Sequence, residues 1–114
     1  MNKFITLLGI LGTLLVGQGW AADFDSDDFK AARKEAEQGD LNAALALGLM
    51  YYSGEGTPQN YEEAVKWYRR AAEKGNATAL NNLGLMYLNG QGVGVNLVEA
   101  VRLIRTAADK GNPK

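Results

Sequence analysis

The chain contains neither cysteine nor histidine. Without cysteine there is no disulfide, no thiol nucleophile and no thiolate ligand for a metal. Without histidine there is no imidazole, the commonest general base near neutral pH and the commonest metal ligand. Most familiar hydrolytic mechanisms are excluded with them, and neither a catalytic centre, a metal nor a cofactor is expected. An excess of one charge is also lacking. Twelve Lys and Arg stand against 13 Asp and Glu, a net charge of −1, so nothing electrostatic points to nucleic acid or to an anionic membrane.

What is present is an ordinary globular composition, 46% hydrophobic and 22% charged, which argues against disorder. At 114 residues there is room for one small domain. Its beginning reads as a targeting segment. Met1-Asn2-Lys3 supplies a positive start, and Phe4 to Val16 is apolar apart from glycines and threonines. Gly19 and Ala21 then place small residues where a signal peptidase reads. Residues 1–21 are therefore expected to be a signal peptide cleaved before Ala22. The run is short for a membrane span of roughly 20 residues. No cysteine follows it to carry a lipid. The expectation is a periplasmic or secreted chain with no membrane insertion after cleavage.

The rest is organised by repetition. Leu47-Gly48-Leu49-Met50-Tyr51 returns as Leu83-Gly84-Leu85-Met86-Tyr87, an offset of 36 residues that also relates Gly39, Gly75 and Gly111. A period of that length is the mark of a helical solenoid, in which each unit buries its apolar face only by stacking on the next. The boundaries follow: a leading helix within 22–39, one unit over 40–75, a second over 76–111, and the start of a further unit at 112–114, with Asn112 as cap and Pro113 as first helical residue. Asp25 or Ser26, Asp40, Asn60, Asn76 and Asn96 are the expected N-caps, with Glu63 and Glu99 completing capping boxes after Asn60 and Asn96. Interior glycines at 48 and 84 cost about 1 kcal/mol each against alanine. They are expected where another helix backbone passes too close for a side chain.

The run Ala43-x3-Leu47-Gly48-x-Met50-Tyr51-x2-Gly54-x-Gly56, followed by Asn60-x2-Glu63-Ala64-x2-Trp67-Tyr68-x2-Ala71-Ala72-x2-Gly75, resembles the Sel1-like repeat, a relative of the tetratricopeptide repeat. The second unit fits except that Leu103 and Ile104 replace the Trp-Tyr pair. The resemblance implies an all-α, right-handed α-solenoid of antiparallel helix pairs, about five helices in all. It also implies a non-catalytic scaffold that binds a protein or peptide. An exported branch of the family is described as hydrolysing or binding β-lactams, but that branch is cysteine-rich. A small envelope hydrolase is accordingly the alternative reading, disfavoured by the absence of cysteine and histidine.

Asp23 to Asp28 has the acidity of a calcium loop, but Asp28 and Lys34 stand where the glycine and the closing glutamate belong, so these acids are read as a helix start. Gly90-x-Gly92-x-Gly94 has no strand before it and no lysine for a phosphate, so it is read as a tight turn. Trp67, Tyr68, Tyr51 and Tyr87 are assigned to the core.

In tetratricopeptide solenoids the first helix of each unit lines the concave groove. The positions there that differ between units are the candidate partner contacts: Asn42, Leu45, Ala46 and Tyr52 against Thr78, Asn81, Asn82 and Leu88. The last helix adds Val98, Leu103 and Ile104, an apolar edge with no later helix to cover it, expected either to self-associate or to dock a partner.

Overall fold

The computed structural model describes residues 25–111, and all regular structure among them is helical. The expected signal peptide and the Asn112-Pro113 start of a further unit lie outside these residues. The helices are α1 (Asp27–Glu37), α2 (Leu41–Ser53), α3 (Tyr61–Glu73), α4 (Ala77–Asn89) and α5 (Leu97–Gly111), each packed against its neighbour in sequence. No helix among the described residues is long and apolar enough to cross a membrane. The chain forms a short solenoid in which α2 with α3, and α4 with α5, are the two helix pairs, and α1 is a leading helix.

Cap chemistry sets the starts. The side-chain oxygens of Ser26, Asp40, Asn60, Asn76 and Asn96 accept from the N–H groups of Phe29, Ala43, Glu63, Ala79 and Glu99, at 2.8 to 3.1 Å. Of the two candidates for the first cap, Ser26 takes the role. The capping boxes are only half made. The backbone N–H groups of Asn60 and Asn96 donate to the Tyr51 and Tyr87 carbonyls instead. Glu63 faces Lys66, and Glu99 bonds Arg102. Each first helix ends on a left-handed glycine, Gly54 or Gly90, a backbone conformation that only glycine adopts without strain.

The core runs the length of the stack. Phe29, Leu47, Trp67, Tyr68, Leu83, Met86 and Leu103 lie in one cluster with small residues such as Ala64, Ala71 and Ala79 between them. Tyr68, only 1% exposed, lays its ring across Gly48: a β-carbon there would fall 2.6 Å from Cε1 and 2.7 Å from Cδ1. The close approach at Gly48 is thus made by an aromatic ring, not by a helix backbone. Backbone does approach Gly84, where a β-carbon would meet the Ala100 carbonyl at 3.1 Å and Ile104 Cγ1 at 2.7 Å.

Candidate binding surfaces

The two first helices carry no charged side chain at all. Leu41–Ser53 and Ala77–Asn89 are built from Leu, Ala, Gly, Met, Tyr, Asn, Ser and Thr, whereas α1, α3 and α5 carry most of the ionisable groups among the described residues. Where α2 and α4 face outward together, Leu49 is 47%, Leu85 39% and Leu88 44% exposed. Between them runs a cleft of about 170 Å³ lined by Leu49, Tyr52, Tyr68, Asn82, Leu85 and Met86. Tyr52 is half-buried beside it, its hydroxyl donating to Gln91 Oε1 at 3.3 Å and its ring 5.3 Å from that of Tyr61. This is an apolar trough with an asparagine at its side.

Of the residues expected to meet a partner, the cleft brings together Tyr52 and Asn82, with Leu88 exposed on the same helix. Asn42 and Thr78 are exposed in the first turns of α2 and α4 and do not line it. Leu45 packs against the core, and Asn81 is half-buried outside the cleft lining. The two leucines that make its walls, Leu49 and Leu85, escaped sequence reasoning. They are identical in the two units, whereas partner contacts are expected at positions that differ. A signal was available: one apolar position per unit in excess of what a helix sandwiched on two sides can bury.

The last helix requires a correction. Leu103, expected on the exposed edge, is 3% exposed. Ile104 is half-buried, with Cγ1 against Gly84. The register explains it. At the 36-residue offset these two stand where Trp67 and Tyr68 stand in α3, so they face the helix of their own unit. The open edge lies about 100° around the helix, at Leu97 (58% exposed), Val98 (82%) and Val101 (51%). A shallow groove of about 590 Å³ runs there between these three and Arg102, Arg105, Thr106 and Asp109.

A third cleft, about 450 Å³, is charged. Both of its arginines are already engaged: Arg69 Nη2 donates to the Tyr87 hydroxyl at 2.8 Å, and Arg102 Nε donates to Glu99 Oε1 at 3.0 Å. That bond holds the Glu99 carboxyl below its ordinary range. No group of three or more carboxylate, His or Cys side chains among the described residues could hold a metal. Asp25, part of the acidic start, accepts from the buried Thr57 hydroxyl at 2.7 Å and ties the start of α1 to the loop after α2.

Burial pushes the Tyr68 phenol up to about 12, opposed by its hydrogen bond with Asn82. A proton held more tightly in the folded chain is released first by the unfolded one. Stability therefore stays whole below the unfolded value of 10.0 and falls as pH rises toward 12. The loss is at most about 1.4 kcal/mol per pH unit. Urea melts across this range should show a steeper decline for the parent than for Tyr68→Phe, with equal slopes as the contrary result.

Comparison with known proteins places this geometry. A model of the Sel1 repeat matches residues 41–76 and 77–112. The chain is similar to a protective antigen present in uropathogenic Escherichia coli strains and displaying an SLR fold, at 49% identity and a TM-score of 0.69 over 71% of this chain and 17% of that one. It is also similar to a Sel1 repeat protein from Oxalobacter formigenes, at 42% identity and a TM-score of 0.70 over 74% of this chain and 35% of that one. The chain thus spans between about a sixth and a third of the length of these proteins. No curated protein matches.

Proposed function

We propose, for a chain that belongs to the Sel1 repeat family, an exported binding module whose α2/α4 face receives an uncharged, aliphatic segment of a protein partner. The Sel1 repeat is generally a protein–protein interaction module. The observation that carries the finer reading is the chemistry of the face: two helices without a charge, three leucines 39 to 47% exposed, and a cleft between them. A soluble chain keeps such a trough open at a cost in solubility, and the trough is matched by aliphatic side chains with Asn82 available to their backbone. Helix-in-groove or extended-segment docking both satisfy it. The targeting pattern of residues 1–21 supports export, and a chain without cysteine or histidine supports a non-catalytic role.

A random peptide display library screened against residues 22–114 tests this reading. Selected sequences should be rich in Leu, Ile and Val and low in net charge, and their binding should change little with salt, because no ion pair holds them. The double variant Leu49→Asp, Leu85→Asp should lose them by about tenfold or more while keeping its helical melt, since both side chains are already wet. Acidic or basic peptides, or sequences held equally by the variant, would move the site elsewhere. The same preparation should turn over no β-lactam or cell-wall substrate.

A further inference from the structure

The described residues contain two junctions between successive units, and they use corresponding positions. At the first, α1 meets α2 through Phe29 and Ala36, both buried. Ser26 N–H donates to the Gly56 carbonyl at 2.8 Å, so the glycine loop after α2 sits on the start of α1. Arg33 lies beside Tyr51, near enough for its charge to act on the hydroxyl, and the Tyr51 ring meets Phe29 edge-on at 5.2 Å. At the second, α3 meets α4 through Val65 and Ala72, again both buried. Gly92 lies so close to the backbone of Tyr61 and Glu62 that a β-carbon would fall 2.6 Å from the Tyr61 carbonyl. Arg69 donates to the Tyr87 hydroxyl at 2.8 Å. The positions of the second junction are those of the first displaced by 36 residues, while the hydrogen bond from Ser26 to Gly56 is replaced there by the close approach of Gly92 to Tyr61 and Glu62.

A third set of the same positions lies on α5. Val101 and Ala108 correspond to the two buried contacts, Leu97 and Val98 to the seat of the glycine loop, and Arg105 to the arginine that holds a tyrosine. All five are exposed. Arg105 makes no hydrogen bond or ion pair to another described residue. The opposite end of the stack is different. The positions of α1 that correspond to the inward Ala64, Trp67, Tyr68 and Ala71 of α3 are Asp28, Ala31, Ala32 and Glu35, of which the two acids are exposed. A second copy stacked head to tail would set those carboxylates against an apolar seat. Its own first helices, α2 and α4, are already sandwiched between neighbours.

We propose that the α5 edge is a docking socket for the first helix and glycine loop of a repeat unit carried by another polypeptide, with Arg105 latching the tyrosine of its Leu-Gly-x-Met-Tyr segment. The argument is continuity with an interface used twice inside the chain. It is independent of the α2/α4 face, so either site stands without the other.

The probe is a labelled peptide of residues 76–96, the segment that fits the equivalent seat on α3, titrated with residues 22–114 by fluorescence anisotropy. It should bind 1:1. Val98→Asp, at a side chain 82% exposed and so without a role in folding, should weaken it by about tenfold or more. Arg105→Ala in the protein and Tyr87→Phe in the peptide should each cost about three- to tenfold and should not add, as expected of two partners in one bond. Leu49→Asp with Leu85→Asp should leave it unchanged. Because a lone helix pays to order itself, a second measurement is joined to the first: a further copy of residues 76–111 fused after Gly111 should raise the melting temperature, and Val98→Asp should cancel the rise. A peptide that does not bind, binding indifferent to Val98→Asp, a fused unit that leaves the melt unmoved, or a homodimer abolished by Val98→Asp would each overturn the proposal.

Discussion

Tyr68→Ala is expected to destabilise the chain by about 3 to 5 kcal/mol, in the range found for emptying a buried aromatic site. A small domain holds roughly 5 to 15 kcal/mol in all, and this one is at the small end. The variant should therefore be partly unfolded at room temperature, with a urea midpoint far below that of the parent. Three losses coincide. The ring is 1% exposed and is the largest fully buried side chain in the stack. It is the surface on which the bare backbone of Gly48 rests, so its removal opens a void between α2 and α3 that no neighbouring side chain fills. It also floors the cleft on the α2/α4 face, beside Asn82. Tyr68→Phe keeps the ring and removes only the hydroxyl, and should cost no more than about 1 kcal/mol. A Tyr68→Ala midpoint as high as that of Tyr68→Phe would show that the ring does not hold the two helices together.

Much of the architecture could be read from residue patterns alone, because a solenoid writes each contact more than once. Asp40, Asn60 and Asn76 cap the helices they were expected to cap, and Trp67 and Tyr68 take the core positions that their spacing implied. The legible features are those decided within one turn of helix or between adjacent helices in register. Glu63 was misread because its spacing from Asn60 satisfies a capping box, while the Asn60 N–H is already taken by the Tyr51 carbonyl across the loop, a contact local spacing does not reveal. The binding faces were less legible for a related reason. A helix such as α2 is apolar on nearly every side, so its composition does not say which side is left uncovered. That is decided by where the neighbours stop. Leu49 and Leu85 are chemically indistinguishable from the buried Leu47 and Leu83, and only packing separates them. On α5, Leu103 and Ile104 belong with Val98 to a broad run of apolar residues, and apolar character alone does not say which of them face inward. Their register does: they stand where Trp67 and Tyr68 stand in the preceding unit, and so face inward.

The two interior glycines separate what propensity and packing each predict. By helix propensity alone, Gly48→Ala and Gly84→Ala should each stabilise by about 1 kcal/mol. Packing reverses the first. The new methyl at position 48 meets two ring carbons of Tyr68 at 2.6 and 2.7 Å, and a ring this deeply buried has no free space to turn into. Helix α3 must move off α2, so Gly48→Ala should be destabilising by about 1 to 3 kcal/mol net, or roughly 4 to 8 °C per kcal/mol in a domain of this size. At position 84 the nearest atom, 2.7 Å away, is Cγ1 of Ile104, a half-buried side chain less confined by its neighbours than a ring that is 1% exposed. The Ala100 carbonyl and Leu103 Cβ, at 3.1 and 3.2 Å, yield by a few tenths of an ångström. Gly84→Ala should thus lose well under half of what Gly48→Ala loses. The cycle with Ile104→Ala should show a favourable coupling, since the shorter side chain makes room for the methyl. The corresponding cycle of Gly48→Ala with Tyr68→Ala should also couple favourably, but from a double variant already near the limit of folding. Equal melting temperatures for the two single glycine variants would mean that the Tyr68 ring gives way as readily as the Ile104 side chain, and that the seam between α2 and α3 is looser than its distances imply.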